Sequence, residues 1–209
     1  MSPKVSEEHK DARRKEILEV AARVFIRKGY EKTTMKDIVE ESGMSRGGVY
    51  MYFSSTEEMM LGIQEEMDEE NEDQIDAALE AFGGSVWRTM EAMMLAKEQE
   101  CQGIAQGLAP VLYEFYLAGF RQGKHMDLLD RRYKRAEALF TAMVERGVAN
   151  GEFRPLVPTS DLARFSISLL DGMTLDATLL GADRISIGKQ VQIALTALRH
   201  LLQVQASTK

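Results

Sequence analysis

Nine consecutive residues hold the densest chemistry in this chain: Ser45-Arg46-Gly47-Gly48-Val49-Tyr50-Met51-Tyr52-Phe53. They bring a hydroxyl, a guanidinium, two phenols and two adjacent glycines into what reads as one short helix. Each glycine costs a helix interior about 1 kcal/mol relative to alanine, so a helix that carries two of them needs a reason. Close approach of its backbone to another surface is such a reason. Duplex DNA is such a surface, and N–H groups at a helix N-terminus suit its phosphates. The chemistry implied is recognition of double-stranded DNA, not the making or breaking of bonds.

The residues before this segment supply the elements that would position it. Ile17, Ala21, Val24 and Phe25 recur at helical spacing and predict a helix over 11–28, stopped by Gly29. Thr34-Met35-Lys36-Asp37 reads as a capping box opening a second helix that presents Met35, Ile38 and Val39 and ends at Ser42-Gly43. Gly43 suits a left-handed turn, and Ser45 caps the third helix, Arg46 to Tyr52. A short amphipathic helix, a glycine-containing turn and a second short helix form the grammar of a helix-turn-helix, whose second helix enters the major groove.

The remainder also reads as helical. Ser55 and Glu58 predict a capping box that opens a long helix to about Asp73. Further helices are expected near 85–100, 104–122 and 126–149, then from a Thr159 or Ser160 cap to Leu180, and from Ile187 to about Val204. The fold class is all-α, with about nine helices. A three-helix DNA-binding head over 1–55 precedes a larger body over 56–209.

Net charge is −7, which at first opposes a nucleic-acid partner. The charge is unevenly distributed. Residues 1–55 carry 11 Lys and Arg against 9 Asp and Glu, whereas residues 56–209 carry 15 against 24. Phosphate contacts are therefore expected from the head. A lone cysteine, Cys101, excludes a disulfide framework within the chain. The N-terminus has no apolar signal-peptide core, and no apolar run approaches the roughly 20 residues that span a bilayer. A cytoplasmic protein without membrane association is expected. No cofactor or metal is expected either, since no His, Cys, Asp and Glu cluster has ligand spacing and no nucleophile–base motif or phosphate loop is present.

Over residues 13–60 the chain resembles the TetR family of bacterial transcriptional regulators. The resemblance rests on Phe25, Gly29-Tyr30, Thr33-Thr34, Ile38, Gly43-Met44-Ser45, Gly47, Val49-Tyr50, Tyr52-Phe53 and Glu57-Glu58. It implies a DNA-binding head joined to a helical body that binds effector and dimerises. It also implies that Arg46 reads a guanine through O6 and N7, and that Ser45, Gly47 and Gly48 lie near phosphate or base edges. Tyr52 would reach phosphate, with Tyr50 shared between core and DNA. Thr33, Thr34 and Lys36 would clamp phosphate from the preceding helix, with Arg13, Arg14 and Lys4 as a further basic arm. One departure is Thr56, where many members have a phosphate-binding lysine; Lys4 and Lys10 would compensate.

In the body, Trp87, Met90, Met94, Tyr113, Tyr116, Phe140, Met143, Phe165, Leu169 and Met173 are candidates to line a cavity for a small, largely apolar effector. Leu162, Gly172 and Leu180, with Ile187, Val191, Ala194, Leu198 and Leu201, are candidates for a homodimer interface between the last two helices and their mates. Two heads about 34–36 Å apart would match a palindromic operator. The function expected is a ligand-responsive repressor, released from its operator when effector binding swings the helix at about 56–73. One alternative is a DNA-binding regulator controlled by a protein partner. A helical enzyme is the more remote alternative, because no catalytic constellation supports it.

Overall fold

Capping chemistry sets the order of the first helices. A computed structural model describes residues 7–205, among which lie nine α-helices. Helix α1 spans Glu7–Lys28, and α2 spans Met35–Ser42. At the start of α2, the Thr34 hydroxyl accepts from the Asp37 N–H at 3.3 Å while the Thr34 N–H donates to the Asp37 carboxylate at 2.9 Å. This is the capping box expected there. Gly43 takes the left-handed conformation (φ 64°) after α2. Ser45 then accepts from the Gly48 N–H at 3.1 Å to open α3, Arg46–Tyr50.

Helix α4, Thr56–Ala81, departs from expectation twice. The Ser55 hydroxyl does accept from the Glu58 N–H, at 3.1 Å. The Glu58 carboxylate, however, reaches back one residue further, to the Ser54 N–H at 2.7 Å and the Ser54 hydroxyl at 2.9 Å. The helix also continues past Asp73. The acidic run contains no breaker, Leu79 is buried, and only Gly83-Gly84, both at positive φ, turn the chain. After it come α5 (Val86–Gln102), a 3-10 turn (Ile104–Gln106), α6 (Ala109–Arg121), α7 (Met126–Ala149), α8 (Thr159–Leu180) and α9 (Ile187–Leu201). Neither Thr159 nor Ser160 caps α8; Pro158 occupies that position and no side chain closes it.

The chain divides into two compact units, and the division is not at residue 55. The first comprises residues up to Glu72 together with Pro110–Phe115; the second comprises Asp73–Ala109 and Tyr116 onward. The reason is apolar burial. Met59, Met60 and Ile63 of α4 and Val111 and Phe115 of α6 are buried, like Ile17, Leu18, Val24, Phe25, Ile38, Val49 and Phe53 of the same unit. Tyr30 stands edge-on to Phe115 with ring centroids 4.9 Å apart, and its N–H donates to the Glu114 carboxylate at 2.7 Å.

In the second unit, one core joins α5, α7, α8 and α9 around Trp87, Met90, Met94, Met143, Leu162, Met173, Val191 and Leu198. This overturns most of the expected dimer face. Leu162, Ile187, Val191, Ala194 and Leu198 are buried within their own chain, and Leu201 packs against the same core. Gly172 and Leu180 do face outward. An apolar stripe at helical spacing marks a buried face without saying what covers it, and the richer stripe went to the core. The outward apolar surface of these helices instead includes Leu175, Leu179 and Ile193, with Leu179 and Ile193 (70% and 68%) the most exposed large apolar side chains among the described residues of the second unit. Among the described residues no helix is long and apolar enough to cross a membrane.

The turn after α7 locks this core. Gly147 lies so close to the buried Phe153 that a Cβ would stand 2.2 Å from its ring. The Glu152 carboxylate crosses to the start of α5, accepting from the Ser85 hydroxyl at 2.9 Å and from the Val86 and Trp87 N–H groups at 3.0 and 3.1 Å. Burial acts to raise its pKa, but these donors outweigh burial and hold it below the ordinary value. A depressed folded-state pKa stabilises the fold above the unfolded pKa of about 4.3, and that contribution is lost as pH falls through the folded value. Glu152→Gln should therefore lower the melting temperature at pH 7. The gap from wild type should close below about pH 4, as thermal melts across pH would show.

Candidate nucleic-acid interface

Helix α3 is held by one face and open on the other. Val49 and Phe53 are buried, one helical turn apart, and fix the helix in the head. Gly47 lies two residues from Val49, about 200° around the helix, and so points away from the core. Nothing lies within 4 Å of where its Cβ would be. Met51, whose N–H donates to the Gly47 carbonyl at 3.1 Å, shares that outward face. Arg46 and Tyr50 form one flank, the guanidinium 5.1 Å from the ring centroid. Both are exposed, and Arg46 pairs with no carboxylate among the described residues. Gly48 forms the other flank beside the Ser45 hydroxyl, and Tyr52 is half-buried.

Several residues expected to touch phosphate are occupied within the protein. Thr33 is buried, and its hydroxyl donates to the Gly29 carbonyl at 2.7 Å, so it joins α1 to α2. Thr34 is exposed, but its hydroxyl and N–H serve the capping box. Arg13 pairs with Glu16 at 2.6 Å. Arg14 pairs with Glu65 at 3.5 Å and lies 5.3 Å from the Phe53 ring centroid, bracing α1 against α4 and the end of the recognition segment. Lys4 lies outside the described residues. Lys36 remains well exposed, with only a loose pair to Glu40 at 3.6 Å.

Two further ion pairs, Lys28–Asp37 and Arg27–Glu41, both at 2.7 Å, tie α1 to α2. The Lys28 ammonium first, then the Thr34 hydroxyl and N–H, hold the Asp37 carboxyl well below the usual range. Much of the head's positive charge therefore fixes the angle at which α2 and α3 are presented. The interface left open is Ser45 to Gly48 with Tyr50, Met51 and Lys36. Met51 escaped sequence reading because an apolar residue in a short helix looks like core. Its offset of four from Gly47 and two from Val49 was the available signal.

Of the candidate effector residues, the second unit gathers Trp87, Met90, Met94, Phe140, Met143, Leu169 and Met173 in one apolar cluster. Tyr116 bonds the Arg132 guanidinium, and Phe165 is exposed. Tyr113 falls in the first unit. The Trp87 indole N–H and the Ser166 hydroxyl are buried without a hydrogen-bond partner, and the Arg199 guanidinium lies 4.9 Å from the Trp87 ring centroid.

Known proteins share this arrangement. Residues 17–63 match the bacterial regulatory proteins of the tetR family, and residues 89–188 match a tetracyclin repressor-like C-terminal domain. An uncharacterized helix-turn-helix-type transcriptional regulator of Bacillus subtilis strain 168, YfiR, is 39% identical over 203 residues, covering 97% of this chain and 98% of that one. The helix-turn-helix-type transcriptional repressor KstR2 of Mycolicibacterium smegmatis is 26% identical over 161 residues, 74% of each chain. Among solved structures, Salmonella enterica GusR superposes with a TM-score of 0.68 at 25% identity, covering 95% of this chain and 98% of that one. A relative identical at 39% of positions across nearly the whole of both chains matches head and body together, and the chain belongs to the TetR family of helix-turn-helix transcriptional regulators.

Proposed function

We propose that this protein is a cytoplasmic repressor that binds a palindromic operator as a homodimer and leaves it when a small, largely apolar effector binds. The observation that carries the reading is the open face of α3. A glycine with nothing above it, an arginine with no carboxylate and an exposed phenol stand on a helix anchored by Val49 and Phe53. Arg46 donates to guanine O6 and N7, the commonest specific contact in the major groove. Ser45, Gly47, Gly48, Tyr50 and Tyr52 place backbone and hydroxyl groups near phosphate, and Lys36 adds a cation. KstR2, a relative, is named a repressor.

Dimerisation is supported by the outward face of α8 and α9. Leu175, Leu179 and Ile193 are exposed, Gly172 has open space beside it, and Gln192, Ile193, Thr196, Ala197 and His200 line a shallow, largely apolar groove. A two-fold mate would cover apolar area that otherwise faces water. The effector reading draws on the methionine-rich cluster around Trp87, since thioethers adapt to varied apolar shapes. An acceptor on the effector would satisfy the Trp87 N–H. Helix α4 begins at the head and continues into the second unit. An effector that prefers one setting of α4 changes head spacing, and only differential affinity for the two settings shifts the balance.

Selection from a pool of random duplexes should return a palindrome with half-sites one helical turn, or a multiple of it, apart; an unstructured set of sequences would sink the operator reading. Gly47→Ala should raise the stability of the protein by up to about 1 kcal/mol and weaken its binding to the selected duplex, because the cost of the glycine serves the approach of DNA alone. Stability is read by denaturant melts and affinity by fluorescence anisotropy. Ile193→Asp should shift sedimentation from dimer toward folded monomer, whereas an intact dimer would place the interface elsewhere.

A further inference from the structure

We propose that Met51 is a specificity-determining residue that packs against the 5-methyl group of a thymine in each operator half-site. The inference rests on the operator reading above. Met51 is 78% exposed, more than any other large apolar side chain among the described residues. Met59 and Met60 of the same unit are, by contrast, fully buried. The fold makes no use of this side chain, yet it occupies the line along α3 that points directly away from Val49.

Position decides what Met51 would meet. It stands one turn below Gly47, the point at which the helix backbone is free to approach closest. Arg46 and Tyr50 lie to one side of that line and Gly48 to the other. As Gly47 nears the DNA, Met51 is carried toward the base edges, the long Arg46 side chain reaches them from one flank, and Tyr50 and Gly48 fall nearer the backbones. Chemistry then narrows the target. A thioether donates no hydrogen bond, is polarisable, and adapts its three rotatable bonds to an apolar contour. The thymine methyl is the apolar feature that the major groove presents, and apolar side chains read it. The arrangement divides the labour on one short helix, with Arg46 reading by hydrogen bonds and Met51 by apolar contact.

The test replaces each thymine of the selected operator in turn with uracil, which removes the methyl and leaves the pairing intact. Wild-type protein should lose about fourfold in affinity at one thymine position per half-site, the value of one buried methyl. Met51→Ala should bind more weakly than wild type and show no penalty at that position, whereas Met51→Leu should keep it. A flat uracil scan with wild-type protein, or a penalty that survives in Met51→Ala, overturns the proposal while leaving the operator reading in place. A pool that yields no preferred sequence overturns the operator reading itself. Because Met51 is so exposed, both variants should melt as wild type does, and a lowered melting temperature would show that the side chain serves the fold.

Discussion

A helix of five residues is far below the length at which a helix persists in water, so α3 exists only because Val49 and Phe53 are buried in the head. Everything at the interface depends on that seam. It supplies the energy that two glycines withhold, and it determines which side of the helix is left outward. Ser45 closes the N-terminal end, and the Met51 and Phe53 N–H groups return to the Gly47 and Val49 carbonyls, so the segment is hydrogen-bonded as it leaves the core. The recognition surface is the complement of a packing decision.

The head's electrostatics follow from the same need. A short reader is useful only at a fixed angle, and ion pairs from α1 to α2 and from α1 to α4 hold that angle. These pairs are largely exposed, so each contributes little to stability by itself. Their consequence is to commit Arg13, Arg14, Arg27 and Lys28 to carboxylates, leaving Arg46 and Lys36 as the clearest cations beside the reader. An acidic chain can serve DNA when a few cations are placed where phosphate or guanine will be. Thr56, at the start of α4, adds no charge.

The body answers a different constraint. Its core is closed by the turn after α7, where Gly147 admits Phe153 and Glu152 caps α5. A half-buried carboxylate that accepts backbone N–H groups is stabilising because those donors sit at a helix start and have no partner within the helix. The outcome is a rigid attachment for α5, one of the helices that carries the methionine cluster. The unpartnered Trp87 and Ser166 polar groups are exceptions to hydrogen-bond satisfaction in that core.

Local chemistry made much of this legible. Thr34 and Asp37, Gly43, Ser45, and the Val49–Phe53 spacing identify the helix-turn-helix without tertiary information, because caps and turns depend on neighbours within four residues. All-helical architecture likewise follows from periodicity. What could not be read was the choice among chemically equal options. Leu162 and Val191 belong to the core and Leu180 to the surface, although all three sit in apolar helical stripes. Thr33 turns inward beside an exposed Thr34, and Arg14 meets Glu65, a distant residue in the chain, rather than DNA. The sequence by itself determined the motif, its class of partner and the helices. Tertiary structure decided which side chains remain free to meet that partner, because a hydroxyl, a guanidinium or an apolar face is consumed by whatever distant segment packs against it first.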